Sequence, residues 1–180
     1  MGENPTIETA GVSQRDQIRL LYLETFADDE RDRVAELAVD LLCEDSTPPI
    51  LSLVAKSDGK LVGHVSFSPV WQKDTGDLLG AILAPLAVSP KVQKQGIGSR
   101  LVEQGLGRLE AEGIACAFVY GDPAYYARFG FSGALAERVL PPCELEYPFG
   151  WQALVLCKER RAIPACRMEC VPALEDPDLW

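Results

Sequence analysis

The sequence predicts an α+β domain built on a mixed, mostly antiparallel sheet with helices on both faces. Three observations carry this. Strand-like runs at 50–56, 61–71 and 78–88 follow one another through turn signals at Asp58-Gly59 and at 73–76, the pattern of antiparallel neighbours. The third run is apolar on both faces, as a central strand covered from both sides must be. Helical periodicity precedes the three strands and resumes after them.

Taken in order, 6–10 is a short strand. Ser13 with Asp16 three residues on has capping-box spacing and opens a helix with Ile18, Leu21 and Tyr22 on one face. A second helix over 29–42 places Val34, Leu37, Ala38 and Leu41 together and stops at Thr47-Pro48-Pro49. The three strands follow. Pro85 lies inside the third and removes a ladder donor, so a bulge or local splay is expected there, the run being too apolar for an exposed edge. A helix from about Gly96 carries Ile97, Leu101, Val102, Leu106 and Leu109 in one stripe. Its Gly105 and Gly107 each cost about 1 kcal/mol relative to Ala, so close packing is expected to compensate. A strand over 114–120, a short helix over 124–128, a turn at Gly130 and a late strand over 149–157 complete the pattern. The tail, 171–180, holds acidic residues and prolines and is expected to be loosely held. No repeat or linker divides the chain, so 1–180 is expected to be a single domain.

Composition narrows the function. At 180 residues, 47% apolar and 24% charged, the chain suits one well-buried domain. A formal charge of −10 argues against nucleic acid or an anionic membrane as partner and suits a cationic amine. The six cysteines are irregularly spaced, without a Cys-x-x-Cys, and His64 is the single histidine, so no metal pattern is present. The polar N-terminal stretch, 1–7, has no apolar signal core, and no apolar run reaches the roughly 18 residues of a membrane span. A cytoplasmic protein with reduced thiols is expected.

The most informative segment reads Val88-Ser89-Pro90-Lys91-Val92-Gln93-Lys94-Gln95-Gly96-Ile97-Gly98. It joins a buried strand to a helix through a loop with two glycines, two lysines and no acid. First-turn N–H groups lack intrahelical partners and the helix dipole favours an anion there, so the segment is a phosphate-binding candidate. A dinucleotide fold would need a third glycine and an acid about 20 positions on, at the end of a second strand; Glu110 and Glu112 fall within or just after the helix. A Walker loop would need Gly-Lys-Ser/Thr, whereas Gly98 is followed by Ser99-Arg100.

Gln93-x-x-Gly96-x-Gly98 closely resembles the acyl-coenzyme A pyrophosphate motif of the GNAT superfamily of N-acetyltransferases. The resemblance extends over about residues 7–157 in element order, and implies an α/β/α sandwich with a splay between the fourth and fifth strands. A second segment, Gly121-Asp122-Pro123-Ala124-Tyr125-Tyr126-Ala127-Arg128-Phe129-Gly130-Phe131, resembles a later family motif, found in a subgroup of acetyltransferases for small molecules of mostly undefined identity. By this resemblance acetyl-CoA is the co-substrate and no metal takes part. Leu86, Ala87 and Val88 would offer main-chain groups to the pantetheine arm. Gln93, Lys94, Gln95, Gly96, Ile97, Gly98, Ser99 and Arg100 would line the pyrophosphate.

Transfer to an amine also requires a polarised carbonyl, a proton for the leaving thiolate and removal of a proton from the amine. Tyr126 is the expected acid, since a phenol donates at neutral pH. The resemblance places the main-chain N–H of Val88 at the carbonyl oxygen. The alternative for Tyr126, as for Tyr125, Phe129 and Phe131, is aromatic core. The base is open. His64 shares a strand face with Ser66 and Ser68 and is either structural or catalytic, and Asp28, Asp29 and Glu30 are other candidates. The expected activity is acetyl transfer to an amine of a small molecule or peptide; the alternative is a non-catalytic acyl-CoA binding or sensor module. Late strands in such folds often pair between subunits, which allows a homodimer, although nothing in 141–161 requires one.

Overall fold

A computed structural model describes residues 5–157 and 163–180. The first four residues of the polar N-terminal stretch, and residues 158–162 of the span weighed for dimerisation, lie outside the described residues. The chain forms two compact units, Met1–Phe67 with Pro85–Gly105 and Ser68–Ala84 with Leu106–Trp180.

The first unit opens with β1 (Thr6–Thr9), followed by a short 3-10 turn, α1 (Arg15–Thr25) and α2 (Arg31–Cys43). The helix entry is not capped by Ser13 and Asp16 as expected. Gln14 instead turns its side-chain oxygen back to accept from the N–H of Gly11 at 2.9 Å, so the reciprocal pair lies two residues earlier. A 3-10 turn over Val12–Gln14 consumes the positions where the box was expected. Ile18, Leu21 and Tyr22 of α1 and Ala35 and Ala38 of α2 pack with Val54 and Ala87 in one buried cluster. Val34, expected on that face, is only half-buried, while Ala35 and Val39 are buried.

β2 (Leu51–Ser57) pairs antiparallel with β1 on one side and with β3 (Lys60–Gln72) on the other. Their hairpin turns through Asp58 and Gly59, both at positive φ, as the Asp-Gly signal requires. β4 (Leu78–Val88) follows β3 as its sheet neighbour. At its end the N–H of Ser89 donates to Val62 O at 2.9 Å. α3 (Ile97–Ala111) then lies close over the sheet. A Cβ at Gly105 would overlap the Phe67 ring, and one at Gly63 would come within 2.9 Å of Leu101. Close packing therefore compensates Gly105 as expected, but not Gly107, whose Cβ position is open.

In the second unit β4 pairs in parallel with β5 (Cys116–Tyr120) through Ala81↔Ala117 to Leu83↔Val119. A Cβ at Gly80 would overlap the carbonyl of Cys116, so only glycine permits this approach. The parallel register ends at Leu83, two residues before Pro85, the region in which a bulge or local splay was expected. α4 (Pro123–Tyr126) and a 3-10 turn lead to Gly130 at φ 92°. α5 (Gly133–Ala136) and β6 (Val139–Leu140) follow. β7 (Trp151–Val155) pairs antiparallel with β5, and β8 (Cys166–Glu169) pairs with β6 and with Trp71 and Gln72 of β3. α5, β6 and β8, of two to four residues each, are absent from the sequence reading.

The tail is docked, contrary to expectation. The Trp180 ring stacks on Tyr120 at 6.2 Å and meets Trp151 edge-on at 6.0 Å, and its Nε1–H donates to Leu174 O at 2.9 Å. A buried tryptophan outweighs the acidic and proline-rich surroundings that suggested a loose end.

Candidate active site

The loop between β4 and α3 is shaped by its own side chains. Beyond the parallel register β4 alternates, with Pro85 and Ala87 buried and Leu86 and Val88 half-buried. Ser89 then starts a 3-10 turn over Pro90–Val92. The Gln93 side-chain amide reaches back 2.9 Å to the carbonyl of Val88, bracing the loop across its base. Lys94 at φ 62° and Gly96 at φ 80° are both left-handed, with Gln95 between them. Left-handed residues alternating with right-handed ones turn successive N–H groups to one side, an anion-binding concavity. Nothing lies within 4 Å of a Cβ placed at Gly96, so its positive φ rather than crowding is what favours glycine there.

Ile97, Leu101 and Val102 are buried and anchor the first turns of α3, whose leading N–H groups have no intrahelical acceptor. The local field matches: no carboxylate occurs between Asp77 and Glu103, in a chain of net charge −10. Lys91 and Lys94 are exposed at the loop. Arg100 donates from its guanidinium to Pro5 O at 2.9 Å, tying α3 to the residue before β1.

In the second unit Asp122 caps α4 by accepting from Ala124 N–H at 2.9 Å. This sets the Tyr126 ring against Gly121, where a Cβ would fall 2.7 Å from it. Tyr125, Phe129 and Phe131 surround that ring at centroid distances of 5.0, 6.4 and 5.8 Å. Burial, with smaller contributions from Tyr125 and Asp122, pushes the Tyr126 phenol well above its ordinary range. It therefore carries its proton throughout neutral pH, as a donor must. Gln152, which the sequence reading passed over, is buried in β7 and donates to the carbonyls of Gly121 (3.2 Å) and Gly150 (3.3 Å). A lone amide inside the apolar strand Trp151–Val155 was the available signal.

His64 is fully buried in the first unit. Tyr22 Oη lies 2.8 Å from its Nδ1 and Ser52 Oγ 2.8 Å from its Nε2, so one ring nitrogen donates and the other accepts. Ser66 Oγ is at 3.5 Å from Nε2. Burial lowers the imidazole pKa from 6.5 to about 3. The folded protein thus leaves His64 neutral where the unfolded chain protonates it, so stability is full above about pH 6.5 and declines as the pH falls. Denaturant unfolding at pH 5 should give a stability lower than at pH 7 by roughly 2 kcal/mol, at about 1.4 kcal/mol per pH unit. His64→Gln should flatten that slope between pH 5 and 6.5; an identical slope in the variant would assign the loss to other groups. Of the acidic candidates, Asp28 is exposed and pairs with Arg31 at 2.6 Å.

Comparison with known proteins agrees with this geometry. Residues 15–131 match the model of the acetyltransferase (GNAT) family. The uncharacterized N-acetyltransferase YjhQ of Escherichia coli K12 is 41% identical over 108 residues, 59% of this chain and 60% of its own length. YhbS of the same strain is 40% identical over 57% of this chain and likewise 60% of its length. The chain thus matches about 60% of the length of these curated relatives. Among solved structures, E. coli YhbS in complex with CoA superposes with a TM-score of 0.79 at 30% identity, covering 94% of this chain and 91% of that one. A GNAT acetyltransferase from Brucella melitensis in complex with acetyl-CoA gives 0.72 at 26% identity, covering 94% and 97%. The family model spans well over half of this sequence: the chain belongs to the acetyltransferase (GNAT) family.

Proposed function

We propose that this protein transfers the acetyl group of acetyl-CoA to an amine of a small molecule or peptide. The observation that carries the reading is the acid-free loop with two left-handed residues at the start of α3, a receptor for a pyrophosphate in an otherwise acidic chain. The relatives crystallised with CoA and acetyl-CoA support the same donor.

When bound, acetyl-CoA supplies an acyl group activated as a thioester. The N–H groups of Gln95, Gly96, Ile97, Gly98 and Ser99 hold its pyrophosphate, with Lys94 adding charge and Gln93 bracing the loop. Leu86, Ala87 and Val88, beyond the β4–β5 register, are the main-chain segment offered to the pantetheine amides. Arg100, in the same first turn, steadies α3 through one guanidinium N–H bonded to Pro5. In the transfer the amine nitrogen bonds to the carbonyl carbon, the carbon–sulfur bond breaks, the nitrogen gives up one proton and the sulfur gains one. The Val88 N–H donates to the carbonyl oxygen as charge grows there, and Tyr126 donates to the departing sulfur. His64 is assigned no proton transfer: with both ring nitrogens bonded inside the core, it is a structural pin, and the amine proton leaves to water. A cytoplasmic location fits the sequence, and among the described residues no helix is long and apolar enough to cross a membrane.

The test is thiol release from acetyl-CoA against a panel of primary amines, with product confirmed by mass. Amine-dependent release at a rate well above hydrolysis is expected. Tight acetyl-CoA binding with no amine-dependent release across the panel would favour the sensor reading.

A further inference from the structure

The segment before β7 presents two aromatic rings to solvent from a backbone that is held on every side. Tyr147 and Phe149 are 53% and 71% exposed, and their rings meet edge-on at 5.9 Å and 62°. Tyr147 N–H donates to Tyr120 Oη at 2.8 Å, and Gly150 N–H donates to Tyr147 O at 2.8 Å. Gly121 N–H donates to Gly150 O at 3.0 Å, and the Glu146 N–H reaches Trp180 O at 3.4 Å. The rings are thus displayed by a fixed turn. That turn is bonded directly to Gly121, the residue against which the Tyr126 ring lies.

Its charge is the reverse of the donor loop's. From 139 to 157 the chain has no Lys or Arg but has Glu144 and Glu146, both exposed. The neighbouring Glu146 carboxylate raises the Tyr147 phenol's pKa. Two exposed ring faces flanked by carboxylates complement an ammonium group carried on an apolar body, through ring–cation attraction and apolar contact together.

We propose that Tyr147 and Phe149 form the acceptor-recognition rim, and that the acceptor is a primary amine borne on an aryl or alkyl body rather than a small polar amine. This rests on the acetyl-transfer reading above. The test compares phenethylamine and hexylamine with ethanolamine and methylamine, by thiol release and, independently of turnover, by saturation-transfer NMR binding to the full chain. The wild type should favour phenethylamine over ethanolamine in kcat/KM by about tenfold or more, mainly through KM. Tyr147→Ala/Phe149→Ala should bring that ratio close to one and abolish the NMR signal of phenethylamine, with acetyl-CoA affinity by calorimetry unchanged. Phe149→Trp should keep the preference.

An amine preference unaltered in the double variant, or no preference in the wild type, overturns the proposal. So does a dimer in sedimentation that the double variant dissociates without altering selectivity, because the rim would then be covered by a second copy. If phenethylamine binds at the rim and loses binding in the double variant, yet no amine is acetylated, the rim stands and the catalytic reading falls.

Discussion

Gly98→Asp is expected to weaken acetyl-CoA binding by about 100-fold or more, read as Kd by calorimetry. The new carboxylate would stand in the first turn of α3, where the pyrophosphate is proposed to sit. Two unit charges about 5 Å apart repel by roughly 3 kcal/mol at an effective dielectric of 20, which is already more than a hundredfold in affinity. No side chain from 78 to 102 carries a compensating negative charge whose removal could relieve the clash. The substitution is also a clean test of binding, because an acidic residue in the first turn of a helix interacts favourably with the helix dipole and replaces a poor helix former. The helix should persist while its anion site is lost. An unchanged Kd would place the donor elsewhere.

Tyr126→Phe is expected to lower kcat by about 100-fold with little change in acetyl-CoA affinity. The variant keeps the ring that fits against Gly121 and within the Tyr125, Phe129 and Phe131 cluster, and removes only the hydroxyl. The effect should therefore fall on the leaving sulfur rather than on folding. Above neutral pH the wild-type rate should show no loss from ionisation of this phenol, because burial holds its pKa above the ordinary value of 10. Wild-type turnover in Tyr126→Phe would return the residue to the aromatic core.

The form of the loop between β4 and α3 was legible in the sequence because its determinants are local. Strand, acid-free loop and helix start are consecutive, and Gln93, Gly96 and Gly98 sit at fixed offsets within a dozen residues. The same holds for the hairpin at Asp58-Gly59, whose turn type follows from two adjacent residues. The pairing of Gln14 with Gly11 around the 3-10 turn, in place of a Ser13–Asp16 box, is a local matter too, but several nearby spacings satisfy it and only the 3-10 turn chooses among them.

His64 shows the opposite case. Its strand neighbours suggested a polar face with access to chemistry, yet its partners, Tyr22 from α1 and Ser52 from β2, are 42 and 12 residues away. No spacing within β3 announces them. Arg100 is similar, drawn to Pro5 from 95 residues off. Trp180 is read as a loose tail until Tyr120 and Trp151 are seen to receive it.

Sequence alone determined the family and the order of the main elements, since each depends on backbone geometry encoded by neighbouring residues. Tertiary structure decided which candidates are free to act. It sealed His64 in the core, engaged Arg100 and packed Trp180. It also set the Tyr147–Phe149 rim on a backbone bonded to Gly121. Burial and long-range partnership depend on contacts between distant segments, and those contacts exist only once the chain has folded.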